Sequence, residues 1–309
     1  MKKMMLKRAI LNVRMLFVIA VNFILLFLSL FEYGIITVND KTPSITYDIL
    51  TMYTIPFAIS SFIIFAGIFP GVPYAFSYLE ERNSGYLKYI QIRINAEKYA
   101  KWKIFFSGLS GGVSIMIPGI MIFAVICLIG REVIPGENGH IFTQLMWEPY
   151  MYIWGGRFVL LLKAILLFLF GVMWAELALL FSNIFKNRYV AYVLPFLAYE
   201  LMWLVFPVGI WNPVYLVRSD FGREVSVLIP YLVDIGYIAI LCFMNMALMK
   251  RRGGDEYQFP SNNICFSGAA ACGFDVEKSF DWISDWRDGG IKDSVFVWRI
   301  CVKSSNSNI

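Results

Sequence analysis

Histidine is almost absent from this sequence. His140 is the only one among 309 residues, and the chain contains no HExxH pattern. A zinc-dependent protease needs several histidine or acidic ligands held together, so one isolated histidine argues against that class of site. The chain also lacks GxxxxGK[ST], the loop that cradles nucleotide phosphates, so it carries no P-loop ATPase of its own. We therefore expect no catalytic residue, no metal site and no bound cofactor.

Cysteine is sparse as well. The five cysteines include no CxxC pair, and their spacing fits no zinc-binding pattern. Cys127 and Cys242 lie in apolar runs, and the other three lie in the C-terminal tail. Structural or unpaired thiols are the simplest interpretation.

Charge is scarce, and its placement indicates a membrane protein. Charged residues make up 16% of the chain, against about 25% in soluble domains. Hydrophobic residues make up 59%, and the mean hydropathy is +0.64. The net charge of +5 flanks apolar runs instead of forming one basic stripe, which argues against nucleic acid as a partner. We expect a multi-pass protein of the cell membrane, with the lipid bilayer as its surroundings.

Six apolar runs are long enough to cross a bilayer. They cover about 15–31, 52–69, 104–129, 158–185, 190–206 and 227–249. With both termini cytoplasmic, the inner segments before the tail hold 16 Lys and Arg, and the outer side, counting Lys163 near the outer end of its span, holds 6. That asymmetry supports this orientation, because cytoplasmic loops carry the excess of basic residues. The predicted fold is an all-α bundle of six transmembrane helices over residues 1–252.

The two ends of the chain differ from this bundle. Residues 1–14 hold five basic side chains, which fit either a positively charged anchor or a short helix on the membrane surface. The pattern favours neither alternative. Residues 253–309 are polar and contain no further span and no motif, so we predict a cytoplasmic tail of unknown structure.

Residues 76–103 form the largest charged island before the tail, and we expect a cytoplasmic loop there. A short helix is expected to end near Gly85. Asn95 is a good N-cap for the next helix, which should begin outside the bilayer. Glu97 and Lys101 are spaced to pair along it. Its face with Gly108, Gly111 and Gly112 predicts close helix packing.

The longest outer loop is predicted at 130–157. It contains His140 and four aromatic residues that resemble an interfacial belt, Trp147, Tyr150, Tyr152 and Trp154. A connector lying among the lipid headgroups fits this segment better than a catalytic lid.

Four ionisable residues lie inside predicted spans: Lys163, Glu176, Glu200 and Asp234. Charged groups in hydrocarbon are costly, so they face the bundle interior, a cavity or each other. Lys163, Glu200 and Asp234 are predicted to lie at the same depth, about 8–10 Å below the outer boundary at 1.5 Å per residue. Lys163 either pairs with Glu200 or Asp234, or extends outward to the headgroups. Glu176 lies deeper and is expected to contact a neighbouring helix or line a pathway.

The charged island carries a pattern of the form FxxxEERxxGxxK followed by RxxxxxYxxxK. With six spans and two inner termini, this arrangement resembles the membrane subunits of type-2 ABC exporters over about residues 1–252. The matching residues are Phe76, Glu80, Glu81, Arg82, Gly85, Lys88, Arg93, Tyr99 and Lys103. In such proteins the chain usually stops soon after the sixth span, and the tail from Gly253 departs from that.

The resemblance implies a half-transporter. Two permease subunits, identical or related, would form the substrate pathway, and two separate ATP-binding cassette subunits would dock below them. The loop after the second span would couple to the ATPase through Glu80, Glu81, Arg82, Gly85, Lys88 and Arg93. ATP would be bound and hydrolysed by the partner subunit, so this chain itself would not be an enzyme.

Two other classes stay open from the residues alone. An ion-coupled transporter or channel would use the intramembrane acids, although the sequence has no internal repeat and no matching pair of broken spans. A non-transporting membrane scaffold would need only the bundle and a partner surface.

Overall fold

Helices make up all the regular secondary structure that is described. The computed structural model describes residues 2–32, 53–54, 56–57, 60–129, 146–207, 209–218, 221–222 and 224–257. In chain order the helices are α1 (Lys2–Ile10), α2 (Val13–Glu32), α3 (Phe62–Phe65), α4 (Ser77–Asn83), α5 (Tyr86–Arg93), α6 (Ala96–Ile129), α7 (Glu148–Trp154), α8 (Gly156–Ile184), α9 (Arg188–Val205), α10 (Pro213–Arg218) and α11 (Leu228–Tyr257). The all-α class predicted from the sequence is confirmed.

Five stretches of helix in the described residues are long and apolar enough to cross a membrane. They are Met4–Phe31, Ala96–Leu128, Gly156–Ile184, Arg188–Val205 and Leu228–Arg251. These stretches correspond to five of the six predicted spans, and their number is compatible with a multi-pass membrane protein.

The second predicted span, 52–69, is not one regular helix in its described part. Residues 60–71 contain only the single turn α3 and a 3₁₀ turn at Phe69–Gly71, joined by turns. One side of the segment is buried: Phe57, Phe62 and Ala66 are each at most 2% exposed, whereas Ile64 and Phe65 are each 44% exposed. Irregular backbone is tolerated at membrane depth where protein surrounds it, and the buried side meets that condition.

Close packing of α6 on α8 forms the centre of the bundle. A Cβ atom added to Gly111 would lie 2.6 Å from the carbonyl oxygen of Gly171, so a side chain at this point would force the helices apart. The glycine face predicted for α6 therefore meets a second glycine on α8. Small residues at such a crossing let helix backbones approach closely.

Buried side chains form two clusters. The larger one extends through α2, α6, α8 and the buried segment before α4, and it includes Phe170 and Trp174. The smaller one joins α1, α4, α5, the first turns of α6 and the last turns of α11, and it includes Met5, Tyr99 and Met249. We call this second region the charged end, because the charged residues of 76–103 lie in it.

Several predicted loops are more helical than expected. Residues 146–157, assigned to an outer loop, contain α7 and the start of α8, and Trp147 is 0% exposed, so it does not belong to an interfacial belt. The segment between the fifth and sixth predicted spans contains α10. Helix α11 continues to Tyr257, past the predicted start of the tail. Residues 33–50, His140 and the tail from residue 258 lie outside the described residues.

Candidate functional site

Helix α4 connects three other helices at the charged end. Consecutive residues on a helix point roughly 100° apart, so three charged residues in a row can reach three different neighbours. The contacts join Glu80 to Arg14 on α2, Glu81 to Lys103 on α6, and Arg82 to Asn183 on α8. The predicted coupling residues of α4 therefore make contacts within the chain.

Glu81 lies at the centre of a buried polar cluster. One oxygen of its carboxylate accepts hydrogen bonds from the Tyr99 hydroxyl and from Lys103 Nζ, the latter at 2.9 Å. Its other oxygen lies 3.8 Å from Nη1 of Arg8. Glu81 is 9% exposed and Lys103 is 0% exposed. Because one oxygen accepts two hydrogen bonds and the other lies near a cation, these partners offset the cost of removing the charge from water.

Lys103 is held by neutral groups as well as by Glu81. Its ammonium donates a hydrogen bond of 2.6 Å to Ser77 Oγ and lies 4.3 Å from the centre of the Tyr74 ring. Burial, together with the nearby Glu81 carboxylate, raises the pKa of the Tyr74 phenol. The ring therefore stays neutral and presents its face to the cation.

Glu80 and Arg14 form a more open contact. Their side chains are 2.9 Å apart at the closest oxygen and nitrogen, and they are 34% and 45% exposed. Water screens a pair with this exposure, so the contact contributes little to stability.

Arg82 and Asn83 bind the end of α8. Arg82 Nη1 donates a hydrogen bond of 3.0 Å to the carbonyl oxygen of Asn183, and Asn83 Nδ2 donates one of 3.1 Å to that of Lys186. The last carbonyls of a helix lack intrahelical donors and carry partial negative charge, so an arginine placed there is favourable.

Helix α5 turns an apolar face outward. Gly85, which separates it from α4, has a φ of 73°, a conformation that glycine adopts without strain. Leu87 is 4% exposed and faces the charged end, whereas Tyr89 and Ile92 are 66% and 76% exposed. The predicted coupling residues Lys88 and Arg93 also lie on this helix, and Arg93 is exposed. Of residues 77–93, α5 is thus the part that can meet a partner.

A cavity of about 880 Å³ lies between α1, the start of α2 and α4. Its charged lining comprises Lys7, Arg8, Arg14, Arg188, Glu80 and Glu81. Four cations outnumber two carboxylates there, and the two ion pairs described above already join Arg8 to Glu81 and Arg14 to Glu80.

Glu176, one of the four ionisable residues in predicted spans, lies on α8 and faces α11. It is 1% exposed. Asn245 Nδ2 donates hydrogen bonds to its carbonyl oxygen at 2.9 Å and to its Oε2 at 3.0 Å. Asn183 Nδ2 donates in turn to Asn245 Oδ1 at 2.8 Å. Through Asn183, this chain of amides leads from Glu176 to the carbonyl that binds Arg82. Glu176 therefore contacts α11, which is one of the two alternatives stated for it.

Lys163 is 2% exposed, and the ion pairs of the described residues do not include one with Glu200 or Asp234. Its ammonium donates a hydrogen bond of 3.1 Å to Thr54 Oγ1 and lies 5.7 Å from the Tyr53 ring centre. Both of these residues belong to the segment before α4.

Asp234 is 0% exposed, and neither of its carboxylate oxygens has a hydrogen-bond partner in the described part of the chain. The Tyr231 hydroxyl, one turn earlier on α11, donates instead to the Leu162 carbonyl at 2.7 Å. Glu200 on α9 is only partly buried, and its Oε1 has no hydrogen-bond partner among the described residues. The two acids therefore differ in burial, although they were predicted at the same depth.

Sequence reasoning missed the asparagines. Asn22, Asn183 and Asn245 are each 0% exposed, and each makes hydrogen bonds between helices. The available signal was an amide inside an apolar run, which must find a partner when it is buried. Ser77, which binds Lys103, carries no comparable signal because serine is common at helix ends.

Among the residues that are described, no group of three or more His, Cys, Asp and Glu could hold a metal ion. The site has two features: a charged end whose contacts join several helices, and buried acidic residues between helices. No family model matches this chain, and neither the curated proteins nor the solved structures give a significant match.

Proposed function

We propose that this chain is the membrane-spanning permease subunit of an ATP-binding cassette exporter. The buried segment at 52–69 then counts as the second of six spans, and both termini and the charged end face the cytoplasm of the cell. A second permease subunit completes the pathway, and a separate P-loop ATPase drives it. The basic flanks of the apolar runs support this orientation.

The observation that carries the proposal is the placement of α4 and α5. Helix α4 is bound to α2, α6 and α8 through Glu80, Glu81 and Arg82. Helix α5 follows directly and exposes Tyr89 and Ile92. A force applied to α5 is therefore passed to three bilayer-length helices, which is what coupling to an ATPase requires.

This arrangement changes the roles expected for the charged residues. Glu81 is 9% exposed, so it transmits motion inside the chain instead of forming the docking surface. The docking contact falls to the exposed face of α5, whose aromatic and aliphatic side chains resemble the apolar centre of a protein interface.

The test is recovery of the ATPase. The tagged chain is purified from its native membrane, and co-purifying proteins are identified and quantified by mass spectrometry. A protein with a P-loop is expected in a constant ratio to the chain. Ile92→Asp should lower its recovery by about tenfold, since buried interface anchors contribute most of the binding energy. Lys98→Asp, at an exposed position in the first turn of α6, should leave recovery unchanged. Absence of a P-loop protein, or equal recovery with Ile92→Asp, would reject the proposal.

A second candidate, an ion-coupled transporter, is favoured by Asp234. Its buried carboxylate without described partners is typical of an intramembrane ion or proton site. Transport that collapses with the proton or sodium gradient, and continues without ATP, would support this candidate over the first.

A further inference from the structure

A groove of about 380 Å³ lies between α6, α8 and α11. Its volume falls within the range of about 300–1,000 Å³ typical of small-molecule sites. The lining is almost entirely apolar and includes Phe105, Phe168, Val172, Ile238 and Cys242. Phe105 is 63% exposed, so the groove opens at the outer surface of the described bundle.

Glu176 is the one acidic residue that lines this groove. Its Oε2 is bound by Asn245, whereas its Oε1 accepts no hydrogen bond from a described side chain and lies beside the backbone of Gly108. A buried carboxyl oxygen without a donor is costly, and such groups require an explanation. An atom that enters the groove and donates to Oε1 supplies one.

Gly108 keeps the space beside this oxygen open. A Cβ atom at that position would lie 3.3 Å from Glu176 Oε1 and 3.0 Å from Val172 Cγ1. Any larger residue would fill the approach to the carboxyl group. Gly108 therefore leaves room for a ligand atom at the point where Glu176 Oε1 meets the groove.

We infer that this groove binds an amphiphilic amine, with its protonated nitrogen at Glu176 Oε1 and its apolar chain along Val172, Phe168 and Ile238. A cation satisfies both the missing hydrogen bond and the charge of a carboxylate in an apolar wall. Between Glu176 and Phe168 there are eight residues of helix, or about 12 Å of apolar wall. That length suits a medium alkyl chain.

Lys101 at the edge of the groove does not oppose such a ligand. Its ammonium is 2.9 Å from Glu97 Oε1, so its charge is already paired. The inference concerns binding to this chain alone and does not rest on the proposed export function.

The test uses the purified full-length chain in lipid nanodiscs. A decylamine that carries a diazirine in its chain is photoactivated, and labelled positions are mapped by mass spectrometry. Decanol with the same diazirine is the comparison probe. Labels are expected at Phe168, Val172 or Ile238, and the amine should label about tenfold more than the alcohol, because a charge-assisted hydrogen bond is stronger.

Three variants separate recognition from damage to the groove. Glu176→Gln keeps an acceptor for Asn245 but removes the charge, so amine labelling should fall about tenfold to the level of the alcohol. Gly108→Ala should reduce labelling by both probes. Gly236→Ala, where an added Cβ meets nothing within 4 Å, should change neither.

Three outcomes would overturn the inference. The first is equal labelling by the amine and the alcohol, which indicates ordinary lipid chains in the groove. The second is amine labelling unaffected by Glu176→Gln. The third is photocrosslinking to a second copy of the chain when benzoyl-phenylalanine replaces Phe105, which indicates that another subunit covers the groove.

Discussion

Glu81 and Glu176 are both buried carboxyl groups, yet their surroundings differ. Glu81 accepts hydrogen bonds from Tyr99 and Lys103 at one oxygen, and its other oxygen lies 3.8 Å from Nη1 of Arg8. Glu176 has an amide at one oxygen, and its other oxygen faces a groove without a described side-chain partner. A buried charge with ionic partners fixes a structure, because removing an ionic partner leaves an uncompensated charge. A carboxyl group left with an open position is suited to a group that binds and leaves.

The two regions are connected. Arg82 binds the carbonyl of Asn183, whose side chain donates to Asn245, which holds Glu176. These hydrogen bonds form a contiguous route from α4 to the groove carboxyl. Coupling along the route is measurable as a change in decylamine labelling when Arg82 is substituted.

The largest expected effect is at Glu81. Glu81→Gln leaves the ammonium of Lys103, which is 0% exposed, without its carboxylate, and we expect the free energy of unfolding to fall by about 3–5 kcal/mol. The double variant with Lys103→Met should lose much less, since no lone charge remains buried. Unfolding in mixed micelles with SDS, followed by tryptophan fluorescence, measures both.

The control for this prediction is Lys101→Met. It breaks the Glu97–Lys101 pair, whose side chains are 45% and 60% exposed, and it should give no measurable change. Equal losses for the Glu81 single and double variants would contradict the view that the cluster acts as a unit.

This cluster also marks the limit of what the sequence predicts. The apolar runs predicted eight of the ten ends of five long helices to within two residues, whereas α6 begins and α11 ends eight residues outside its run. Asn95 caps α6 as predicted, accepting from the Glu97 N–H at 2.9 Å. Those features depend on neighbours in sequence. The contact between Arg8 and Glu81 depends on how α1 crosses α4, and the contact between Glu176 and Asn245 depends on the register of α8 against α11. Neither contact can be predicted from a local stretch of the sequence.

The described part of the predicted span 52–69 departs from one regular helix for a related reason. Residues 52–69 are apolar enough for a regular span, but Tyr53, Phe57 and Phe62 are enclosed by protein. Once surrounding helices cover a segment, hydropathy no longer distinguishes a regular helix from a folded-back chain. The same packing brings Thr54 within 3.1 Å of Lys163, a contact that depth in the bilayer does not predict.

Asp234 should respond in the opposite direction to Glu81. Asp234→Asn removes a carboxyl group that is 0% exposed and has no described hydrogen-bond partner. We expect the free energy of unfolding to stay the same or to rise by at most about 2 kcal/mol, because burying an amide costs less than burying a charge. The same SDS titration measures it. A loss comparable to that of Glu81→Gln would mean that Asp234 has a stabilising partner, and the contrast between the two regions would fail.

The smallest effect is expected for the exposed neighbour of Glu81. Glu80 and Arg14 are 2.9 Å apart but 34% and 45% exposed, so Glu80→Gln should lower the free energy of unfolding by only about 0.2–1 kcal/mol. Because water and ions reach this pair, the loss should shrink further in about 1 M salt, where the Debye length falls to roughly 3 Å. The loss at Glu81 should persist there, since Lys103 is fully buried. A double-mutant cycle with Arg14→Gln, measured at low and high salt, gives the coupling between the two side chains. A salt-independent coupling above about 2 kcal/mol would show that Glu80 belongs to the buried cluster, so that α4 binds α2 as firmly as it binds α6.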